Sequence, residues 1–102
     1  MPRLALGKSV FYEGAITTSQ AAVGTASDLN IEELVLSNTT STDGIVISFY
    51  TTSGTLQGTL VISANDQIVK SFGDSWWYFS GGLQISASDT GVRYQITGNQ
   101  RP

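Results

Sequence analysis

Apolar and polar residues alternate along much of this chain, most regularly near its end. Over residues 83–98, Leu83, Ile85 and Ala87 alternate with Gln84 and Ser86, and Val92, Tyr94 and Ile96 alternate with Arg93, Gln95 and Thr97. Successive side chains of a strand point to opposite faces, so this period of two predicts two half-buried strands. Ser88-Asp89-Thr90-Gly91 between them reads as a turn. Closing a hairpin over it sets Ala87 opposite Val92, Ile85 opposite Tyr94 and Leu83 opposite Ile96, which gives both strands one shared apolar face.

The same pattern extends upstream. Residues 31–38 predict a strand with Leu34 and Leu36 on one face and Val35 and Ser37 on the other, followed by the turn N-T-T-S-T-D-G. Residues 45–51 place Ile45, Ile47 and Phe49 inward and Val46, Ser48 and Tyr50 outward. After a loop over 53–58, residues 59–64 bring Leu60 and Ile62 into phase with Phe49 and Ile47 for a second hairpin. Asn65-Asp66 makes a turn, 67–72 a further strand, and the aromatic run Trp76-Trp77-Tyr78-Phe79 precedes the turn Ser80-Gly81-Gly82. Nearer the start, 9–12 and 15–18 are short strand candidates joined to the rest by a loop over 19–29. About eight short strands separated by turn signals predict an all-β domain, an antiparallel β-sandwich or jelly roll, over residues 9–98. Residues 1–8 are then an N-terminal arm and 99–102 a C-terminal tail.

Composition agrees with this class and narrows the chemistry. The 102 residues carry only 13% charged side chains and a net charge of −3, and they include neither cysteine nor histidine. Disulfides, thiolate metal sites, and Ser-His or Cys-His catalysis therefore have no residues to work with. Arg3, Lys8, Lys70, Arg93 and Arg101 are scattered and form no basic stripe for a phosphate backbone, so no nucleic-acid partner is expected. The first eight residues lack the apolar run of a signal peptide, and no segment is apolar for long enough to span a membrane.

Carboxylates are the remaining catalytic option, and their placement argues against it. Glu32 and Glu33 are neighbours on a strand and should point to opposite faces, while Asp43, Asp66, Asp74 and Asp89 fall in turns where aspartate caps its own backbone. No acid-base pair and no calcium-loop spacing emerges, so the expectation is a chain without enzymatic activity, metal or cofactor. Asn38-Thr39-Thr40 matches a glycosylation sequon, which has meaning only in a secreted chain.

The aromatic run stands apart, because alternation makes both faces of its strand large and aromatic. One face can serve the core. The other fits a loop-covered interior, a subunit interface or a platform for sugar rings, since Trp and Tyr are enriched where protein surfaces meet. Trp76, Trp77, Tyr78 and Phe79 are the first interface candidates, with outward-facing Tyr12 and Tyr50 extending the patch and Arg3 and Lys8 on the arm.

The pattern L-x-I-x-A-S-x-x-x-V-x-Y-x-I-x-G, after the strands L-V-L-S-N-T-T and I-V-I-S-F-Y, resembles small β-sandwich structural proteins of tailed-bacteriophage virions. Leu36, Asn38, Thr39, Leu83, Ile85, Ala87, Val92, Ile96 and Gly98 carry the resemblance. It implies a virion structural role, foremost a capsid decoration (cement) protein bound to the capsid lattice as a homotrimer, with the major capsid protein or another virion protein as partner. A neck or tail adaptor is the nearest alternative. A carbohydrate-binding module or adhesin domain stacking sugar on Trp76 and Tyr78, or Trp77 and Phe79, is the alternative of a different class. Localisation in the virion, after synthesis in the host cytoplasm without a signal peptide, follows from the first reading.

Overall fold

The computed structural model describes residues 7–73 and 76–101, so Arg3 and Asp74 lie outside the described residues. Nine strands occur among them: β1 (Lys8–Ala15), β2 (Ala21–Val23), β3 (Leu29–Asn38), β4 (Ile45–Thr51), β5 (Leu56–Ile62), β6 (Gln67–Ser71), β7 (Trp77–Phe79), β8 (Leu83–Ala87) and β9 (Val92–Gln100). They build two antiparallel sheets. The first has the order β1-β9-β3-β6, with β7 beside β6 on the same edge of β3; the second has the order β2-β8-β4-β5. Apart from the short β7, this is the strand order of a double-sheet jelly roll, within the predicted all-β class.

Between the sheets lies one core. Leu29, Ile31, Leu34, Leu36, Val92 and Ile96 of the first sheet meet Ile45, Ile47, Phe49, Ile62, Leu83 and Ile85 of the second. The inward phases read from residues 45–51 and 83–87 are correct, since both strands alternate buried and half-buried positions.

The final hairpin is not formed. β8 pairs with β2 and β4, whereas β9 pairs with β1 and β3, so Ser88–Gly91 carries the chain from one sheet to the other. The apolar residues of β8 and β9 do face one another, but across the core. Alternation specifies which side of a strand is buried and is indifferent to whether the next strand lies beside it or opposite it. Ser88 fixes the crossing: its N–H donates to Val46 O and its Oγ accepts from Val46 N, both at 2.9 Å, which holds the end of β8 on β4.

The β4–β5 hairpin is present with its register two residues from the expected one, Ile47 opposite Leu60 and Ile45 opposite Ile62. A further irregularity at Phe49/Tyr50 shifts the pairing by one more residue toward the turn, and β5 begins at Leu56, inside the expected loop. The candidate at 9–12 lies within β1, whereas of the candidate at 15–18 only Ala15 belongs to a strand, and β2 lies in the expected loop over 19–29. At the boundaries, Lys8 of the expected arm is the first residue of β1. Asn99 and Gln100 of the expected tail are buried at the end of β9, paired with β1 and β3.

Alternation is broken once in β3. The register shifts between Ile31 and Glu33, so Glu32 is an extra residue, and Ile31 and Leu34 are both buried although they are three apart. The bulge also overturns the expected splitting of the two glutamates. Glu32 and Glu33 line one shallow depression with Ser71, Gly73 and Thr97.

Candidate interaction surface

The aromatic run occupies the edge where the two sheets open. Its strand β7 pairs with Leu29–Ile31 of β3, which fixes the facing of each ring. Phe79 is fully buried. Trp77 packs inward against it, with ring centroids 4.8 Å from Phe79, 4.9 Å from Phe49 and 5.8 Å from Phe72, all tilted. Gly58 makes room for the indole, because a Cβ there would stand 3.1 Å from Trp77 Cζ2. Phe79 is thus committed to the core and Trp77 is half-buried against it, so the two rings are not free as a pair to form a sugar platform.

Tyr78 takes the opposite face, where it enters a polar knot. Gly81 N–H donates to Asp28 Oδ1 at 2.8 Å, and Arg101 Nε lies 3.4 Å from Asp28 Oδ2. The Gly81 amide is the main reason the Asp28 carboxyl sits below its ordinary pKa; desolvation opposes it, and the Tyr78 hydroxyl and Arg101 reinforce it. Arg101 N–H donates to Asp28 O at 2.9 Å and Ser27 Oγ to Arg101 O at 2.6 Å, so this knot ties the end of the chain to the start of β3.

Leu60, Lys70, Phe72, Trp76 and Trp77 line a groove of about 320 Å³ between β5 and the β6–β7 edge. Lys70 and Phe72 reach it because they share the inward phase of Ile68, which stands opposite Leu36. That phase is readable in residues 67–72, although of the lining residues only the two tryptophans are candidates on sequence grounds.

The other candidates do not join this groove. Tyr12 was expected to face outward; it is half-buried against the core, with its hydroxyl donating to Gln100 Oε1. Gln100 Nε2 in turn donates to Thr25 O at 2.9 Å and Ser27 O at 3.0 Å. The correction has a simple cause: β1 starts at Lys8 and runs unbroken, which puts Val10 and Tyr12 inward and Phe11 outward. Tyr50 does face outward, on the outer face of the second sheet, where it is half-buried with its hydroxyl 3.3 Å from Ser86 Oγ. Hydrogen bonds with Ser86, then Ser48, hold its pKa below the ordinary tyrosine value. Lys8 is exposed at the start of the β1 edge.

A different set of apolar residues is the more exposed one. Among the described residues, Phe11 (56%), Leu56 (54%), Val61 (59%) and Val69 (58%) are the large hydrophobic side chains left open to solvent, and all four stand on strands at the margins of the sheets: β1, β5 and β6. None of the four is among the candidates that the sequence suggests. Their signal is an apolar residue on the polar phase of an alternating strand, as with Val61 between Leu60 and Ile62.

Two turn aspartates cap their own backbone as expected, Asp66 Oδ1 accepting from Gln67 N and Asp89 Oδ1 from Thr90 N, whereas Asp43 Oδ1 accepts from Ala64 N in the turn that follows β5. Among the described residues no group of three or more Asp or Glu is placed to hold a metal ion, and no helix is long and apolar enough to cross a membrane.

No protein-family model matches the chain, and no curated protein does. Among solved structures it is similar to a chain described under "Bacillus endospore appendages form a novel family of disulfide-linked pili". The two share 13% sequence identity with a TM-score of 0.53, and the match covers 99% of this chain and 96% of that one. The likeness concerns the fold.

Proposed function

We propose that this chain is a non-enzymatic structural subunit that works by associating with copies of itself in a larger protein assembly. In its specific form, the reading is a decoration subunit on the virion of a tailed phage. The observation that carries it is the placement of Phe11, Leu56, Val61 and Val69, four large apolar side chains held open to water on marginal strands. Marginal strands with apolar residues pair or pack with other chains unless something blunts them. β5 carries neither a charge nor a proline to do so. A pilus subunit of similar fold is consistent with assembly, and with no cysteine in the sequence any contact between copies forms without a disulfide. Jelly rolls serve as capsid domains and as lectin domains alike, so the fold itself does not choose. The inward packing of Trp77 and Phe79 removes one of the two ring pairs on which a sugar-binding reading relied.

Sedimentation equilibrium from low to high micromolar concentration tests the proposal. A discrete oligomer that persists on dilution, or open-ended growth with concentration, supports it; a trimer fits a threefold position on a capsid, and growth fits an appendage. A monomer throughout overturns it.

A further inference from the structure

Charge divides the two sheets completely. The strands of the second sheet, AAV, IVISFYT, LQGTLVI and LQISA, contain no Asp, Glu, Lys or Arg. Those of the first hold Lys8, Glu13, Glu32, Glu33, Lys70 and Arg93. The outer face of the second sheet therefore carries no charged side chain from its strands. Register sets its rows: Val46 beside Val61, Ser48 beside Thr59, and Tyr50 beside Leu56. Val61 and Leu56 are more than half exposed. The face mixes β-branched side chains, hydroxyls and a tyrosine, and runs without a charge to the open edge of β5.

We infer that this face is where a second copy of the chain docks, the two outer faces of the second sheet meeting about a two-fold axis. The inference rests on the reading of the chain as a self-associating subunit and names the surface that does it. Charge complementarity selects the occupant. The cores of protein interfaces are depleted of charged residues, and a charge buried there without a partner is costly. The outer face of the first sheet presents Glu13, Glu33 and Arg93, all exposed, and cannot cover the uncharged face without desolvating them. The surface of this chain that can is the same face of another copy. Hydroxyl and apolar rows are self-complementary, sheets pack face to face readily, and an isologous contact closes in pairs.

The test is sedimentation velocity on the full chain and on Val61→Lys, Thr59→Lys and Gln95→Lys, the last at an exposed position on the outer face of the first sheet. The parent should associate in even multiples, Val61→Lys and Thr59→Lys should weaken this roughly a hundredfold, and Gln95→Lys should leave it unchanged. Because the chain has no cysteine, Ser48→Cys gives a clean second readout. Placed centrally in the face, it should form a disulfide-linked dimer under mild oxidation, and Gln95→Cys should not. Association that resists both lysines on the second sheet yet is lost in Gln95→Lys, or a parent trimer without even multiples, would overturn the inference and leave the proposed function standing. A parent that stays monomeric would remove both.

Discussion

Gly98 of β9 lies so close beneath the backbone carbonyl of Asn30 on β3 that a Cβ there would run into the Asn30 oxygen. The contact sits at the β3 bulge, where Ile31 is opposite Gly98 and the register then shifts. Gly98 does not need left-handed backbone, as its φ is not positive. It needs to have no side chain. Gly98→Ala should therefore cost about 3 kcal/mol, at the upper end of overpacking, because the obstacle is backbone and cannot rotate away. Gly44 is the control: its φ is +68° and a Cβ there would meet nothing within 4 Å, so Gly44→Ala should cost only about 1 kcal/mol, from conformation alone. Urea denaturation of both variants measures the difference; equal losses would refute the steric account.

Trp77 joins the open edge of the sandwich to its core through Phe49, Phe72 and Phe79. Trp77→Ala should destabilise the fold by about 3 kcal/mol, and Trp77→Phe by distinctly less, since a smaller ring still fills part of the site. Chemical denaturation followed by circular dichroism checks this without relying on the tryptophan that is removed. A loss below about 0.5 kcal/mol in Trp77→Ala would place it among ordinary surface substitutions and contradict its packing role.

Asn38 is 2% exposed and spends its whole amide on the loop that follows β3 and on Ser63 just after β5. Its Oδ1 accepts from Thr40 N at 3.0 Å and Thr40 Oγ1 at 2.6 Å, and its Nδ2 donates to Thr42 O at 2.8 Å and Ser63 O at 3.1 Å. Asn38→Asp replaces that donor with an oxygen aimed at two carbonyls and should cost about 2 kcal/mol or more. The same geometry bears on the sequon. Expression through a secretory pathway should yield, by mass spectrometry, folded protein without a glycan at Asn38, because the nitrogen that would be modified is buried and engaged.

What the sequence made legible was the phase of each strand. Ile45, Ile47, Phe49, Leu83, Ile85 and Ala87 are buried as alternation requires, and the turns at Asn65, Gly81 and Gly91 use the positive φ that their residue types permit. Partners were less legible. Nothing local distinguishes a Val92 that lies beside Ala87 from one that faces it across the core, and the bulge at Glu32 leaves no mark stronger than the three-residue spacing of Ile31 and Leu34. The candidate surface suffered from the same limit. Large aromatics drew attention to residues 76–79, where packing consumes Trp77 and Phe79, while the open positions are single apolar residues on otherwise polar faces. The absence of charge in the second sheet was present in the sequence all along. It becomes visible only once topology gathers β2, β8, β4 and β5 into one layer.

Asp28 gives the fold a pH dependence of defined sign. Its carboxyl is held below the ordinary aspartate value of 3.8, first by the Gly81 amide and then by Tyr78 and Arg101. A carboxyl whose pKa is lower in the folded than in the unfolded chain stabilises the fold fully above the unfolded value, and this stabilisation is lost as pH falls through the folded one. Asp28→Asn keeps the shape and an acceptor for Gly81 but removes the charge. Its melting temperature should fall below the parent's at pH 7, and the gap should close progressively below about pH 4 as the parent's carboxyl also becomes neutral. Arg101→Gln should retain most of the parent's pH dependence, because Arg101 contributes less than Gly81 and its side chain is 46% exposed, where solvent screens the pair. Thermal melts of the three proteins between pH 2 and pH 7 decide the matter. A gap between parent and Asp28→Asn that is absent at pH 7, or that stays constant across the whole range, would mean that the carboxylate's charge is not what ties the end of β9 to the sandwich.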